Sequence, residues 1–425
     1  MMKMTKNKIG YAAMAAGIAA LTLSSCASSK GQHGRTGEMT SNDIDNEYLI
    51  MSDDNRTAIE HTNEFALNLF RTQRGMDSKV VSPISVAYLM AMLANGANGQ
   101  TRTEIMKTLN MDEASLQNIN ETYKSIINTA SHLDNQTKIN IANCIAVNKQ
   151  IELKADYSTA MHTFYDAYIE SMDFTSQKAL NKINSWCSKQ TGGMVPKIVD
   201  QLDAGALAVL MNAVYFNGSW TNKFDKEETK TENFRGYTRD IKKVPMMHQE
   251  NKLMYTANDD FAAVCLPYGN GTYTMTVILP AENKSTEDLA NTLDTKKLKE
   301  MRDNMDECIV DLKLPRFATS TETQLNKPIS ELGAPAMFTS GIADFSNMTD
   351  ASMYVSAMIQ KAKIEVSESG TKAAAVTAAI MTMSALRPEE PRHVTFHANR
   401  PFVYMITERN TGAIVFIGQY TGNEE

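Results

Sequence analysis

From residue 55 onward, stretches with the 3.6-residue period of helices alternate with stretches that have the two-residue period of strands. In the first half, the pattern predicts helices over 62–71 and 101–109, and a nearly all-apolar helix that starts at Ser82-Pro83 as cap and first helical residue. Strands dominate the second half and are predicted at 206–216, 244–247, 261–266, 273–279, 310–314, 402–406 and 414–417. Because no linker rich in Pro, Ser or Gly divides residues 55–425, they predict one large α+β domain.

The N-terminus has a different pattern. Three lysines precede an uncharged, Ala-rich run over 9–23, which is shorter than the roughly 20 residues that span a bilayer. This is typical of a signal peptide, here 1–25. Cys26 follows at the end of the apolar run, where bacterial lipoproteins carry their lipidated cysteine; the alternative is an ordinary secretory signal with an incidental cysteine. We expect residues 26–54, which are polar, to tether an exported lipoprotein to the outer membrane or cell surface of a diderm bacterium.

Charge and cysteine spacing exclude some function classes. The chain has 42 basic and 49 acidic side chains and a net charge of −7, so no basic field attracts nucleic acid. Four further cysteines have neither C-x-x-C spacing nor a histidine at metal-ligand spacing, and no metal site is predicted. Four separate buried thiols are favoured over two disulfides. The cysteines concerned are Cys144, Cys187, Cys265 and Cys308.

Sequence signatures of catalysis are missing from the chain. There is no G-x-S-x-G, H-E-x-x-H, P-loop or G-x-G-x-x-G motif. We therefore expect no enzyme and no cofactor. A surface-anchored hydrolase remains an alternative, because the members of a catalytic triad need not be adjacent in sequence.

Residues 368–387 form the segment with the most distinctive pattern. After Gly370, which allows a hinge, small and apolar residues continue to Arg387 without Pro or a further Gly, and Lys372 is the only charge between them. In a strand, one face would carry only small or apolar side chains and Lys372 would lie on the other face. Because alanine also favours helix, a surface helix is an alternative for this segment alone. The residues of the uncharged face are Thr371, Ala373, Ala375, Thr377, Ala379 and Met381.

Nine short motifs recur in the order and spacing of the serpin family over nearly all of residues 60–422, which the chain therefore resembles. They include S-P-I-S at 82–85, N-A-V-Y-F-N-G-S-W at 212–220, L-P-R-F at 314–317, E-V-x-E-x-G-T at 365–371 and R-P-F at 400–402. Two positions depart from the family's pattern: Lys372 stands where Glu is frequent, and Gln360 stands where His is frequent.

The resemblance implies a single domain with three β-sheets, about nine helices and an exposed reactive loop near the C-terminus. It also implies a monomer that inhibits serine-type proteases: the target cleaves the loop, forms a covalent acyl-enzyme complex, and is trapped as the loop inserts into the central sheet. The hinge that must insert comprises Glu368, Gly370, Thr371, Ala373, Ala374, Ala375 and Thr377.

The spacing from the hinge Glu that is usual in the family places the reactive bond at Ser384-Ala385. A shift of one residue gives Met383-Ser384. Small or medium uncharged residues suit elastase-like or subtilisin-like pockets, whereas Pro388 after Arg387 disfavours trypsin-like cleavage. The alternative function is that of a non-inhibitory serpin that acts as a surface binding protein.

Overall fold

The computed structural model describes residues 52–73, 75–130, 133–238, 240–371 and 391–422. These residues lie in one compact unit, Glu47–Glu425. Its α-helices are α1 (Asp53–Thr72), α2 (Pro83–Gly96), α3 (Gly99–Thr108), α4 (Leu116–Ala130), α5 (Ala155–Tyr165), α6 (Gln177–Gln190), α7 (Thr286–Thr292), α8 (Thr295–Asp303) and α9 (Asn326–Leu332). Short 3₁₀ helices occupy Glu113–Ser115, Lys226–Glu228 and Ala336–Phe338.

The strands are β1 (Lys79–Val81), β2 (Thr137–Asn148), β3 (Tyr168–Met172), β4 (Ala208–Ser219), β5 (Lys230–Arg235), β6 (Ile241–Ala257), β7 (Phe261–Tyr268), β8 (Tyr273–Pro280), β9 (Asp306–Pro315), β10 (Phe317–Gln324), β11 (Ala357–Ser367), β12 (Gly370–Thr371), β13 (His393–His397), β14 (Phe402–Glu408) and β15 (Ile414–Tyr420). A six-stranded sheet has the order β10-β11-β12-β4-β2-β3. A nine-stranded network contains the others.

The nine-stranded network divides into two sets of strands at β6. The first residues of β6 pair with β5, most of the rest of β6 pairs with β9, and β13 continues this set beyond β9. The last residues of β6 pair with β7, from which β8, β14, β15 and β1 follow. Together with the six-stranded sheet, the described strands thus form the three sheets of the expected α+β fold.

The main hydrophobic core lies where α2 packs against β4 and β15. α2 is apolar on every side and almost wholly buried, as its sequence predicts. A second, smaller core lies between α6 and β2 and β4. The six-stranded sheet is therefore covered on both faces, which explains why β4 is a nearly continuous run of buried residues.

Several details differ from the sequence-based expectations. Ser82 precedes α2, but its hydroxyl makes no capping bond and donates to the Val415 carbonyl oxygen instead, at 2.7 Å. β2 was not predicted, although it is one of the longest strands of the six-stranded sheet. The four described cysteines are free thiols, as expected, but Cys265 is only partly buried.

Among the described residues, no helix combines the length and the apolar character needed to cross a lipid bilayer. The predicted signal peptide and Cys26 lie outside the described residues. The prediction of a lipid anchor therefore stays a prediction.

Candidate functional site

The segment that the sequence singles out leaves the six-stranded sheet at Thr371 and enters the nine-stranded network at His393. On its N-terminal side, β11 turns at Glu368-Ser369 and returns as the two-residue strand β12. On its C-terminal side, β13 lies at the edge of its sheet, parallel to β9. The two ends of the segment are thus held by different sheets.

β12 lies between β11 and β4 and separates their ends. Thr371 pairs antiparallel with Val366 on one side and with Gly218 on the other. Further along, β11 and β4 pair directly in parallel over six residue pairs, from Ala357↔Val209 to Ala362↔Val214. The six-stranded sheet is therefore already parted at one end and closed along the rest. We call the parted end, residues 366–371 with their contacts, the loop-entry site.

Thr371 is fully buried in the loop-entry site, with an exposed fraction of 0%. Its hydroxyl lies 2.7 Å from the Tyr268 hydroxyl, so the two groups share a hydrogen bond. Burial raises the pKa of Tyr268 well above its ordinary value, so the phenol stays protonated at all physiological pH values. The position accepts a small polar side chain with one specific partner, and its burial would deprive a charge of hydration.

Gly370 is required at the turn by both conformation and space. Its φ of +137° lies outside the range that other residues adopt easily, and a Cβ atom there would lie 2.1 Å from the Gly218 carbonyl oxygen. The backbones of β12 and β4 can approach only because this residue has no side chain.

Trp220 fastens the turn between β11 and β12. Its indole Nε1 donates to the Ser367 carbonyl oxygen at 2.9 Å, and its backbone N–H donates to that of Ser369 at 3.1 Å. The indole ring stacks on Tyr268 with 4.3 Å between ring centroids. The first residues after β4 therefore hold the turn at the point where the segment departs.

Glu368 places a carboxylate in this turn with only 5% of its side chain exposed. Its Oε1 accepts a hydrogen bond from the Thr229 hydroxyl at 2.9 Å and lies 3.3 Å from Nη1 of Arg316. A buried carboxylate is tolerated only with such partners, because an unpaired one loses its hydration without compensation. Glu368 therefore links the turn to Arg316, the single residue between β9 and β10.

We expect Glu368→Lys to lower the free energy of unfolding by about 3 kcal/mol, because it buries an ammonium group beside the Arg316 guanidinium. Denaturant unfolding of the native protein measures the effect. Glu365→Lys is the matched control, since Glu365 is partly exposed on β11 just before the turn and should change stability by less than about 1 kcal/mol. Equal effects of the two changes would contradict the role given to burial.

A buried polar network ties the closed part of the sheet to α2. Gln360 of β11, with an exposed fraction of 1%, donates from Nε2 to the Ser82 carbonyl oxygen at 2.8 Å and accepts from the Ser82 N–H at 3.0 Å. The Ser85 hydroxyl donates to Oδ1 of Asn212 on β4 at 2.7 Å. Asn212 in turn donates to Oδ1 of Asn143 on β2 at 2.8 Å. Any separation of β11 from β4 has to open this network.

Because glutamine does not titrate, the Gln360 contacts do not depend on pH, and we expect Gln360→His to introduce such a dependence. Neutral histidine can replace the donor and the acceptor, but protonated histidine is a buried cation with two donors. Burial lowers the folded-state pKa below the unfolded value of about 6.5, so the unfolded state binds more protons. Stability relative to the parent should therefore be retained above that pH and fall below it, by up to about 1.4 kcal/mol per pH unit.

Denaturant midpoints at several pH values between 5 and 8 measure this difference. Gln360→Asn, which is shorter but does not titrate, should lose the same stability at every pH. A constant difference between the histidine variant and the parent would contradict the expectation.

At the other end of the segment, Asp311 on β9 anchors β13. Its two carboxylate oxygens lie 3.0 Å from Nε2 of His397 on β13 and 2.9 Å from Nε2 of His248 on β6. Partial burial favours the neutral acid, but the hydrogen bonds with His248 and His397 lower the pKa of Asp311 below its ordinary value. The carboxylate therefore joins three adjacent strands where the segment re-enters the fold.

The structure places three of the residues that the sequence selects, Glu368, Gly370 and Thr371, together in the loop-entry site. The remaining hinge residues, Ala373, Ala374, Ala375 and Thr377, lie outside the described residues, as do Met383, Ser384 and Ala385. Sequence reasoning did not select Tyr268, Thr229 or Arg316, although Arg316 lies in one of the motifs that it used.

A family model described as "Serpin (serine protease inhibitor)" matches residues 60–422. The chain belongs to this family. Its fold, with a six-stranded sheet parted at one end, agrees with the fold of a solved member.

Two relatives and one solved structure illustrate the similarity. Iripin-2 of Ixodes ricinus is 32% identical over 367 residues, which cover 84% of this chain and 91% of the relative. Leukocyte elastase inhibitor A of Rattus norvegicus is 32% identical over 371 residues, covering 84% and 96%. The native crystal structure of the thermophilic serpin tengpin matches with a TM-score of 0.78 and 27% identity over 88% of this chain and 95% of that chain.

The expectation that the chain is not an enzyme rested on missing sequence motifs, and that ground is corrected here. Missing enzyme motifs do not by themselves decide whether a chain is catalytic, because a triad can be dispersed. What decides the class is the family, which is described as serine protease inhibitors and whose relatives here include proteins named as inhibitors.

Proposed function

We propose that the protein inhibits serine-type endopeptidases of elastase-like or subtilisin-like specificity by suicide-substrate trapping. The protease serine attacks the carbonyl carbon of Ser384, with Met383 as the alternative, and the amine of the following residue leaves. The freed segment then inserts between β11 and β4 while the protease is attached as an acyl-enzyme. The name of the rat relative, leukocyte elastase inhibitor A, supports the elastase-like choice.

One observation carries this proposal: the register of β11 and β4 already fits an inserted strand. Val366 and Gly218, which both pair with Thr371, differ by 148 positions, and so do the directly paired Ala362 and Val214. The two strands therefore need only to move apart, without sliding, to accept a strand that continues β12. A slip of even one residue would turn the wrong side chains toward the core.

Continuing that register assigns a place to each residue of the segment. Ala375 would lie between Ala362 and Val214, and Ile380 would lie between Ala357 and Val209. The uncharged face that starts at Thr371 would continue the side of the sheet that contributes Val366 and Val214 to the main core. The small side chains of this face fit a layer that is already packed.

Lys372 would take its place opposite Glu365 of β11 and Asn217 of β4 in the same register. Glu365 keeps 37% of its side chain exposed, so the lysine would stay near water and opposite a carboxylate. The departure from the family's frequent Glu at this position thus suits the acidic neighbour in this chain.

Insertion also has to pass the buried polar network. Thr377 would lie between Gln360 and Asn212, whose side chains are 3.3 Å apart across the closed sheet. The threonine hydroxyl can donate to one of these amides and accept from the other. The network would therefore be re-formed around the inserted strand instead of being left unsatisfied.

The test is incubation with pancreatic elastase, subtilisin and trypsin, followed by denaturing electrophoresis and mass spectrometry of the released C-terminal peptide. We expect a denaturant-resistant complex with elastase or subtilisin, a peptide that starts at Ala385, and no complex with trypsin. Cleavage by all three without a complex would instead indicate the non-inhibitory alternative. A peptide that starts at Ser384 would move the reactive bond to Met383-Ser384.

We further propose that Cys26 carries a lipid that anchors the exported protein to the outer membrane or cell surface, through a tether over 26–54. The support is the order of charged, apolar and small residues before Cys26. Several acyl chains on one cysteine would give stable anchoring, at about 0.8 kcal/mol per buried methylene. Labelled fatty acid should be incorporated by the parent and not by Cys26→Ser; equal labelling of both would refute the anchor.

A further inference from the structure

A sulfur-lined cavity lies on the nine-stranded network, where β6, β7 and β8 meet the end of α8. Its volume is about 330 Å³. Three sulfur-bearing side chains line it: Met254 of β6, Cys265 of β7 and Met305, the residue before β9. None of them belongs to the loop-entry site or to the buried network at Gln360.

The register of the strands places two of the three side chains next to each other. Met254 and Cys265 are directly opposite in the antiparallel pair β6–β7, so their side chains share one face of the sheet and their Cβ atoms lie about 4.5–5.5 Å apart. The third is already in contact, because Sγ of Cys265 lies 3.3 Å from Sδ of Met305. The thiol and one thioether are thus in contact, and the second thioether side chain lines the same cavity beside them.

The three sulfur-bearing side chains differ in how far they are exposed to solvent, which suits a binding site. Met305 is buried, with an exposed fraction of 8%, and Cys265 is partly buried, where the Thr276 hydroxyl lies 3.4 Å from its sulfur. Met254 has an exposed fraction of 43%. Two sulfurs are therefore held in place by the fold, and the third can move to admit an ion from solvent.

We propose that Cys265, Met305 and Met254 form a binding site for a monovalent, thiophilic metal cation of the Cu(I) type. Soft thiolate and thioether donors select this kind of ion. Three sulfurs from three different chain segments can surround it without any nitrogen or oxygen ligand.

The charges around the cavity favour a monovalent ion over a divalent one. The guanidinium groups of Arg302 and Arg409 line the cavity and favour a negative charge on the Cys265 sulfur, and Glu307 also lines the cavity. Cu(I) on a thiolate is neutral as a pair, so the nearby guanidinium charges do not repel it, whereas a divalent cation would leave a net positive charge beside them. Within the described parts of the chain, no group of three His, Cys, Asp or Glu residues that could hold a metal ion was found, which leaves zinc without its usual ligands.

Binding exchanges one proton for one metal ion: the Cys265 S–H bond breaks, the proton goes to water, and a Cu–S bond forms without a change in oxidation state. The two thioethers each donate a lone pair. Since the thiol has to lose its proton to bind the ion, metal binding releases one proton per site.

The test is an anaerobic competition between the full chain and the colorimetric Cu(I) chelator bathocuproine disulfonate, with ascorbate as reductant. We expect the parent to retain one Cu(I) per chain that Cys265→Ser does not retain. Met305→Leu and Met254→Leu should each weaken binding at least tenfold. Cys308→Ser is the matched control, because that buried thiol does not line the cavity, and it should bind as the parent does.

Two outcomes would overturn the proposal. Retention of the ion by Cys265→Ser would place it on another thiol, and unchanged affinity in both methionine variants would mean binding by a cysteine alone. Because Met254 is exposed, its variant tests the site even if Cys265→Ser or Met305→Leu is unstable. X-ray absorption at the copper edge should show sulfur neighbours only; nitrogen or oxygen neighbours would equally contradict the assignment.

Discussion

Thr371→Arg is expected to convert the protein from an inhibitor into a substrate, with at least a hundredfold loss in the yield of covalent complex per cleavage. Thr371 is the last described residue of β12, from which the proposed inserted strand would continue, and it is already fully buried between Gly218 and Val366. An arginine there must either bury its charge beside Tyr268 or keep β12 out of the sheet. An unpaired buried charge costs several kcal/mol, and each 1.4 kcal/mol is a factor of ten in partition.

The measurement is the ratio of complex to cleaved inhibitor on denaturing gels with elastase or subtilisin. Lys372→Arg is the matched control, since it introduces arginine at the next position, whose side chain would lie on the opposite face, near Glu365. This variant should inhibit like the parent. Thr371→Ser, which retains the hydroxyl for Tyr268, should also inhibit. Full inhibition by Thr371→Arg would show that the hinge does not enter the sheet at this position.

The sequence predicted the site best at positions where the backbone or the packing tolerates only one kind of residue. Gly370 could be expected at a hinge, and the structure adds the reason, a backbone approach that leaves no room for a Cβ atom. The alternation from Thr371 onward separated a buriable face from Lys372, and Thr371 is indeed buried. Local patterns also predicted α2, from Pro83 and the apolar run after it, and most strands of the second half, because each carries its own signal.

Contacts between distant parts of the chain could not be predicted in this way. The Glu368 carboxylate meets Thr229, just before β5, and Arg316, between β9 and β10. Nothing in the local sequence around any of the three residues predicts these contacts. β2 was missed because its second half is buried on both faces and lacks alternation. Cys265 was expected to be buried with the other cysteines, and only the arrangement of three strands shows that it lines a cavity.

The second large effect concerns stability: cleavage of the segment 372–390 by a metalloprotease, which forms no acyl-enzyme, is expected to raise the melting temperature by about 20 °C. In the intact chain, β11 and β4 pair directly over six residue pairs. An inserted strand would pair with both of them, so about ten residues gain ladder hydrogen bonds that each contribute roughly 0.5–1.5 kcal/mol. The total is on the order of 10 kcal/mol, and a change of 1 kcal/mol shifts the melting temperature by about 2 °C in a large domain.

The gain should depend on insertion and not on cleavage as such, which the Thr371→Arg variant can separate. Cut at the same bond, this variant is expected to show little of the increase, because its first inserted position rejects the strand. Differential scanning calorimetry of both proteins before and after cleavage measures the four melting temperatures. An equal rise in both would mean that cleavage stabilises the fold without insertion, and no rise in the parent would mean that the six-stranded sheet does not open. Since β11 and β4 already have the offset that an inserted strand needs, opening the sheet in the parent requires these strands to separate along their six direct pairs, which include the contact between Gln360 and Asn212.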